Sequence, residues 1–312
     1  MIEWNAKLRN IPGFSEWTDI TQIAKGWSEE TKFRVKTPSG GYHLVRISDT
    51  RDFDQKKEQF HAMKKLSLTH LNISHPVDFG LASSGDFVYS IYTWVEGDDA
   101  ELEIPKLSPM KQYEYGRKAG AMLREIHKNP APLETPPWAL TFRQKLEHFT
   151  RLYHEMSVDL DYGHEVLNFL SENMYLLNNR PQSLQHGDFH LGNMVLTKQV
   201  NVDSRELGLI DFNRLSYGDP WEEFERCYFT IQKSVPFMNG QIHSYFDDDV
   251  PDLFLKLLAY YTGYSCIATV PWAQPFGPEE MERLRIVTNS VIEEFNNYQD
   301  YVPKWYEEPW QN

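Results

Sequence analysis

The stretch SLQHGDFHLGNMVL, Ser183–Leu196, sets two histidines, an aspartate and an asparagine between apolar flanks. Two kinds of chemistry use such groups at short range. In one, His186, Asp188 and His190 form an H-x-D-x-H metal site. In the other, the Asp188 carboxylate handles the proton of an attacking hydroxyl, and the Asn193 amide oxygen holds a cation against phosphate.

On the metal reading, His186 and His190 stand four residues apart and would share a helix face. Gly187 and Gly192 interrupt the segment, however, and weaken any helix there. A catalytic zinc also asks for three protein ligands. A metal-dependent hydrolase and a plain polar loop both stay open as alternatives.

The phosphoryl-transfer reading asks for more and finds more. Its catalytic loop places an Asp five residues before an Asn, and Asp188 and Asn193 have that spacing. A strand pair should follow and end in a second metal-binding carboxylate. The apolar run in LGLIDFNR ends at Asp211, eighteen residues after Asn193. An Asp in that position is costly unless it meets a cation.

Composition limits the rest. The 312 residues are 41% hydrophobic and 14% aromatic, which suits a packed chain of one large domain or two lobes. A formal net charge of -14 argues against nucleic-acid binding, which needs a basic face, and suits a cationic partner. The two cysteines, Cys227 and Cys266, have neither disulfide-framework nor metal spacing, so a reducing cytoplasm is the simplest setting. The N-terminus lacks an apolar run of signal-peptide length. No stretch approaches about 18 consecutive apolar residues, so no membrane span is expected.

Along the chain, TDITQIAKG, KFRVKTPSG and YHLVRIS read as strands, with a tight turn at Ser39-Gly40-Gly41. RDFDQKKEQFHAMKKL reads as a helix through Phe53, Phe60 and Met63. HPVDFGLASSGDFVYSIYTWVEG returns to strands around Gly85-Asp86. Ser108-Pro109 then opens a helix with an apolar stripe at Tyr115, Ala119, Met122, Leu123 and Ile126. Helices are predicted over 141–156, 162–178, 250–268 and 278–300, and a small strand pair over NMVLT and LGLIDF. The expected fold class is α+β with two lobes: an antiparallel-sheet N-terminal lobe over 1–95 and a mainly helical lobe over 96–312.

HGDFHLGN, IDFNRLSYGDPWEEF and AGAMLREIH together resemble the catalytic loop, the metal-binding segment and the Leu-x-x-x-His helix of the aminoglycoside phosphotransferase family. The resemblance runs from about residue 18 to 300 and implies a small-molecule kinase with the protein-kinase-like fold. It implies Asp188 as the catalytic base or hydroxyl-orienting group and Asn193 and Asp211 as ligands of Mg²⁺. It makes His186 a structural loop residue and leaves Asp219 to the fold. It also implies ATP, with GTP as the alternative nucleotide. Gly26 and Ser28 would then lie in the phosphate loop. Arg46 stands where the family pattern has Lys, a departure that still supplies a permanent charge and a planar fork. Glu58 is the expected helix partner of Arg46, and Thr93 and Val95 are the expected hinge against adenine.

The acceptor is the least legible part. A cationic antibiotic suits the net charge, with acidic runs at Glu96-Asp98-Asp99-Glu101 and Asp247-Asp248-Asp249-Asp252 to receive it. Either run also reads as a solvated face. A metabolic kinase for choline, amino alcohols or sugars, and a nucleotide-binding pseudokinase, remain alternatives. Trp272 reads as a core residue, while Trp305 and Trp310 serve either an acceptor or the packing of the C-terminus. Substrate-binding residues stay unassigned, and the assembly is left between monomer and homodimer.

Overall fold

The computed structural model describes residues 6–24, 30–156, 159–198 and 205–309. Ser28, Gly26 and Trp310 lie outside them. The chain forms two compact units, one of residues 1–99 with 194–213 and one of 100–193 with 214–312.

The first unit is built on a five-stranded antiparallel sheet in the order β1-β2-β3-β5-β4. Its strands are β1 (Ile20–Ile23), β2 (Thr31–Lys36), β3 (Tyr42–Ser48), β4 (Pro76–Leu81) and β5 (Val88–Thr93). The period-two alternation sends Phe33, Val35, Val45, Ile47, Tyr89 and Ile91 into a core with Leu8 and Ile11. Each such side chain contributes roughly 1.5–3 kcal/mol of burial free energy. The alternate residues Lys32 and Arg46 face each other across the β2–β3 register. The turn between these strands closes at Gly40, whose φ of 87° suits glycine.

Helix α1 (Phe53–Leu66) buries Gln59, Phe60, Met63 and Leu66. A smaller sheet joins β6 (Asp98–Asp99), β8 (Met194–Leu196) and β9 (Leu207–Leu209). The predicted strand pair is therefore present, and Ile73 bridges to Leu209 at its edge.

The second unit is mainly helical. Its elements are α2 (Ala100–Glu103), α3 (Pro109–His127), α4 (Trp138–Glu155), α5 (Gly163–Glu172), α6 (Cys227–Ile231), α7 (Val235–Tyr245), α8 (Asp252–Ala273) and α9 (Pro278–Glu294). A short pair joins β7 (Ser183–Gln185) to β10 (Ser216–Gly218). The Ser108 hydroxyl caps α3 by accepting from the Lys111 N–H, with Pro109 at the first position. The stripe of α3 buries Tyr115, Ala119, Leu123 and Ile126.

Helix α7 went unpredicted, because it has no polar face. All its residues from Phe237 to Tyr245 are buried, so its sequence carries no amphipathic period. It packs backbone to backbone on α3. A Cβ at Gly116 would fall on the Phe237 carbonyl, one at Gly120 on that of Gln241, and one at Gly240 on that of Tyr113. Helix α8 is long and apolar enough to cross a membrane by length and composition, but 78% of its apolar window is buried within the protein. Trp305 is buried, whereas Trp272 is 37% exposed over Phe276, a correction to its reading as core.

Candidate active site

The loop after β7 is held from below by Glu223. Its carboxylate accepts from the backbone N–H of His186 and of Gly187, each at 2.7 Å. Gly187 has a φ of 81°, and a Cβ there would strike the Arg214 carbonyl, so the turn requires glycine. His186 is fully buried, and its Nδ1 accepts the Asp188 N–H at 3.2 Å. That is the structural role expected of it. The His190 Nδ1 accepts the Gly192 N–H at 3.1 Å, and its ring lies against Phe229. Among the described residues no three His, Cys, Asp or Glu side chains are grouped to hold a metal ion. The H-x-D-x-H reading therefore finds no geometric support.

Asp188 and Asn193 are brought together. The Asn193 side-chain N–H donates to the Asp188 carbonyl at 2.8 Å and to Asp188 Oδ2 at 3.1 Å. Its amide oxygen makes no hydrogen bond among the described residues. The other oxygen, Asp188 Oδ1, has His190 Nε2 at 3.8 Å, Arg226 Nε at 3.7 Å and Arg214 Nη1 at 4.0 Å. All three exceed hydrogen-bond reach. Burial pushes the Asp188 carboxyl up, but these neighbours outweigh it and hold the pKa below the ordinary aspartate range.

In the first unit, Asp211 lies in the left-handed region with a φ of 64°, uncommon for a residue with a side chain. Its carboxylate accepts from Lys32 Nζ at 3.2 Å and from Arg46 Nη1 at 2.9 Å. Burial raises its pKa, and the two cations more than offset this, bringing it to about 2. The costly strand-end Asp thus does meet cations. Arg46 is held at its other edge by Glu30, from Nε at 2.5 Å, and Lys56 Nζ reaches Glu30 at 2.5 Å.

Glu58 does not meet Arg46, which corrects the expected pairing. On α1, Glu58 points to solvent, whereas Lys56 shares the inward stripe with Gln59, Phe60 and Met63. Glu30 supplies the carboxylate instead. Lys32, Glu30, Lys56, Glu223 and Arg226 were all missed in the sequence. Lys32 had a readable signal, since T-K-F-R-V-K alternates basic with apolar residues.

A cavity of about 380 Å³ in the same unit is lined by Asn72, His75, Thr93, Trp94, Val95, Glu96 and Lys198 among others. That volume is within the range of small-ligand pockets. Thr93 is used structurally, its N–H donating to the His75 carbonyl and its hydroxyl accepting the His75 N–H. Val95 makes no hydrogen bond among the described residues.

Most acids of the two runs have a cation within the chain. Glu96 pairs with Arg34, Asp98 with Arg205, Asp247 with Arg124, Asp248 with Arg117 and Asp252 with Lys256.

A mixed α+β chain with this loop is a phosphotransferase with an alcohol group as acceptor. The phosphotransferase enzyme family matches it over residues 19–254, and the chain belongs to that family. Its fold is similar to the GDP complex of wild-type aminoglycoside 2′-phosphotransferase-IIIa, with a TM-score of 0.69 and 11% identity over 93% of this chain and 97% of that one. It is also similar to the gentamicin complex of APH(2″)-IIa, with a TM-score of 0.63 and 16% identity over 92% and 95% of the two chains. A third is amicoumacin kinase with AMP-PNP, Ca²⁺ and Ami, at a TM-score of 0.62 and 14% identity over 92% and 90%. At such identities the likeness shows the fold alone. Among curated proteins no sequence match was found.

Proposed function

We propose that the protein transfers the γ-phosphate of ATP, with Mg²⁺, to a hydroxyl of a small molecule. The observation that carries this is the Asp188–Asn193 pair on a loop fixed by Glu223. A carboxylate held so firmly ionised is a weak base. Asp188 therefore orients the acceptor hydroxyl by accepting its hydrogen bond, and takes its proton late in the transfer. Asn193 and Asp211 offer an amide oxygen and a carboxylate, the hard donors that suit Mg²⁺. The ion would neutralise charge on the phosphates.

Lys32 and Arg46 would take phosphate oxygens, Arg46 through Nη2, which has no hydrogen-bond partner among the described residues. Val95 offers its backbone to the purine, GTP being the alternative nucleotide. Nucleotide binding falls to the N-terminal lobe over 1–95 together with 96–99 and 194–213 of the same compact unit, and catalysis and acceptor binding to the rest of the lobe over 96–312. Ser28 stays with the phosphate loop on the family resemblance. A cationic antibiotic as acceptor is supported by the net charge of -14, and less by the acidic runs, most of whose carboxylates already have a cation. Sugar-type metabolites fit equally.

Calorimetric titration with ATP tests the nucleotide part. Binding should require Mg²⁺ and should weaken at least tenfold in Asp211→Asn. Equal, metal-independent affinity in both proteins would sink it.

A further inference from the structure

Next to the acceptor-orienting carboxylate lies a donor without a hydrogen bond. Arg226 Nε is buried and has no hydrogen-bond partner among the described residues. It faces Asp188 Oδ1 at 3.7 Å and Glu225 Oε1 at 3.4 Å without a bond to either. Of the neighbouring acids, Glu225 has its Oε2 buried and unpartnered among the described residues, while Glu222 and Glu223 are engaged elsewhere. Glu222 accepts from Lys145 at 3.0 Å and from Gln185 at 3.0 Å, and Glu223 holds the loop backbone. Arg226 lies between Glu225 and the buried Cys227 at the start of α6, with Glu225 and Asp188 as its carboxylate neighbours. The result is an acceptor, Oδ1, beside a spare donor, Nε–H, with Arg214 adding a second positive charge at 4.0 Å from Oδ1.

We propose that Arg226 anchors the acceptor, and that the acceptor is a vicinal diol or an α-hydroxy acid and not a 1,2-amino alcohol. The inference rests on the phosphotransferase reading above. A hydroxyl that donates to Asp188 Oδ1 brings the group on its neighbouring carbon against Arg226. An oxygen there accepts from Nε–H and satisfies a buried donor that is otherwise orphaned. An ammonium there has no lone pair to accept from Nε–H, so the donor stays unpaired even though Asp188 and Glu225 offset the charge. Choline and ethanolamine are thereby disfavoured. Sugars, sugar acids and those antibiotic hydroxyls that have an oxygen neighbour are favoured.

The test uses the full chain with MgATP, and glycerol, glycerate, ethanolamine and choline as probes at equal concentration. ADP release and phosphorylated product are measured together, with Asp188→Asn as the blank. Asp188-dependent transfer to glycerol or glycerate should exceed that to either amino alcohol at least tenfold. Arg226→Gln should raise KM for the oxygen-bearing probe at least tenfold, with a smaller effect on kcat. Arg226→Glu should shift the preference toward ethanolamine.

Should Arg226→Gln fail to fold, Arg226→Lys, which lacks the planar donor, must show the same rise in KM. Equal use of ethanolamine, or a preference unchanged by these substitutions, overturns the proposal. So does ADP release that depends on Asp188 with no transfer to any probe. Absence of any Asp188-dependent ADP release would instead overturn the phosphotransferase reading, and this one with it.

Discussion

Arg46 and Asp211 are joined by a direct hydrogen bond of 2.9 Å, and Lys32, opposite Arg46 across the β2–β3 register, closes on the other oxygen of Asp211 at 3.2 Å. Arg46 spans two carboxylates, reaching Glu30 through Nε and Asp211 through Nη1. A lysine is a point charge and cannot span both. Arg46→Lys should therefore leave a buried carboxylate underpaired and cost about 3 kcal/mol of stability. Urea unfolding checks this; an unchanged midpoint would contradict it.

Lys32→Ala addresses the nucleotide directly. Loss of one charge-assisted phosphate contact should weaken MgATP about tenfold. Affinity equal to wild type would remove Lys32 from the phosphate site and leave it a partner of Asp211 alone.

Glu223 is the support of the loop. Glu223→Gln keeps the size but offers one acceptor oxygen where two N–H groups converge. It should lose about 2 kcal/mol and lower kcat, with MgATP affinity little changed. A kcat equal to wild type would mean that the backbone of His186 and Gly187 needs no such anchor.

The α3–α7 contact makes a purely structural prediction. Gly116→Ala, Gly120→Ala and Gly240→Ala each force a methyl group onto a backbone carbonyl. Each should cost about 3 kcal/mol or more, read as a fall in melting temperature. Gly40→Ala, with nothing within 4 Å, should cost less despite its positive φ.

Stability should also depend on pH with opposite signs at two acids. Burial pushes Glu225 up to about 7 against the pull of Arg226, so its carboxyl binds a proton more tightly in the folded chain. Its contribution is complete below the ordinary value of 4.5 and is lost as the pH rises through about 7. Asp211 contributes above 3.8 and loses its contribution as the pH falls through about 2. Glu225→Gln should therefore gain in melting temperature relative to wild type from about pH 5 to 8. A constant difference across that range would contradict the raised Glu225 carboxyl.

The legible parts of this molecule were those written in short-range spacing. The five-residue step from Asp188 to Asn193 and the apolar run ending at Asp211 exposed the loop and the strand pair. Alternation in KFRVK and YHLVRIS exposed the sheet. What was not legible depended on long-range contact. Glu30 replaces Glu58 as partner of Arg46 because α1 turns Lys56 inward, a choice made by packing. Helix α7 hid because burial on every side erases periodicity. The acidic runs looked like a reception surface, and only the fold shows that Arg34, Arg117, Arg124 and Arg205 already answer them.

The most direct measurement is mass spectrometry of a compound panel incubated with the protein, ATP and Mg²⁺, with Asp188→Asn run in parallel. The panel spans aminoglycosides, sugars, sugar acids, choline and small amino alcohols. The account predicts the mass gain of one phosphoryl group on a hydroxyl compound with wild type and a loss of about 10²–10⁴-fold with Asp188→Asn. Equal phosphorylation by both proteins would contradict the central role given to Asp188.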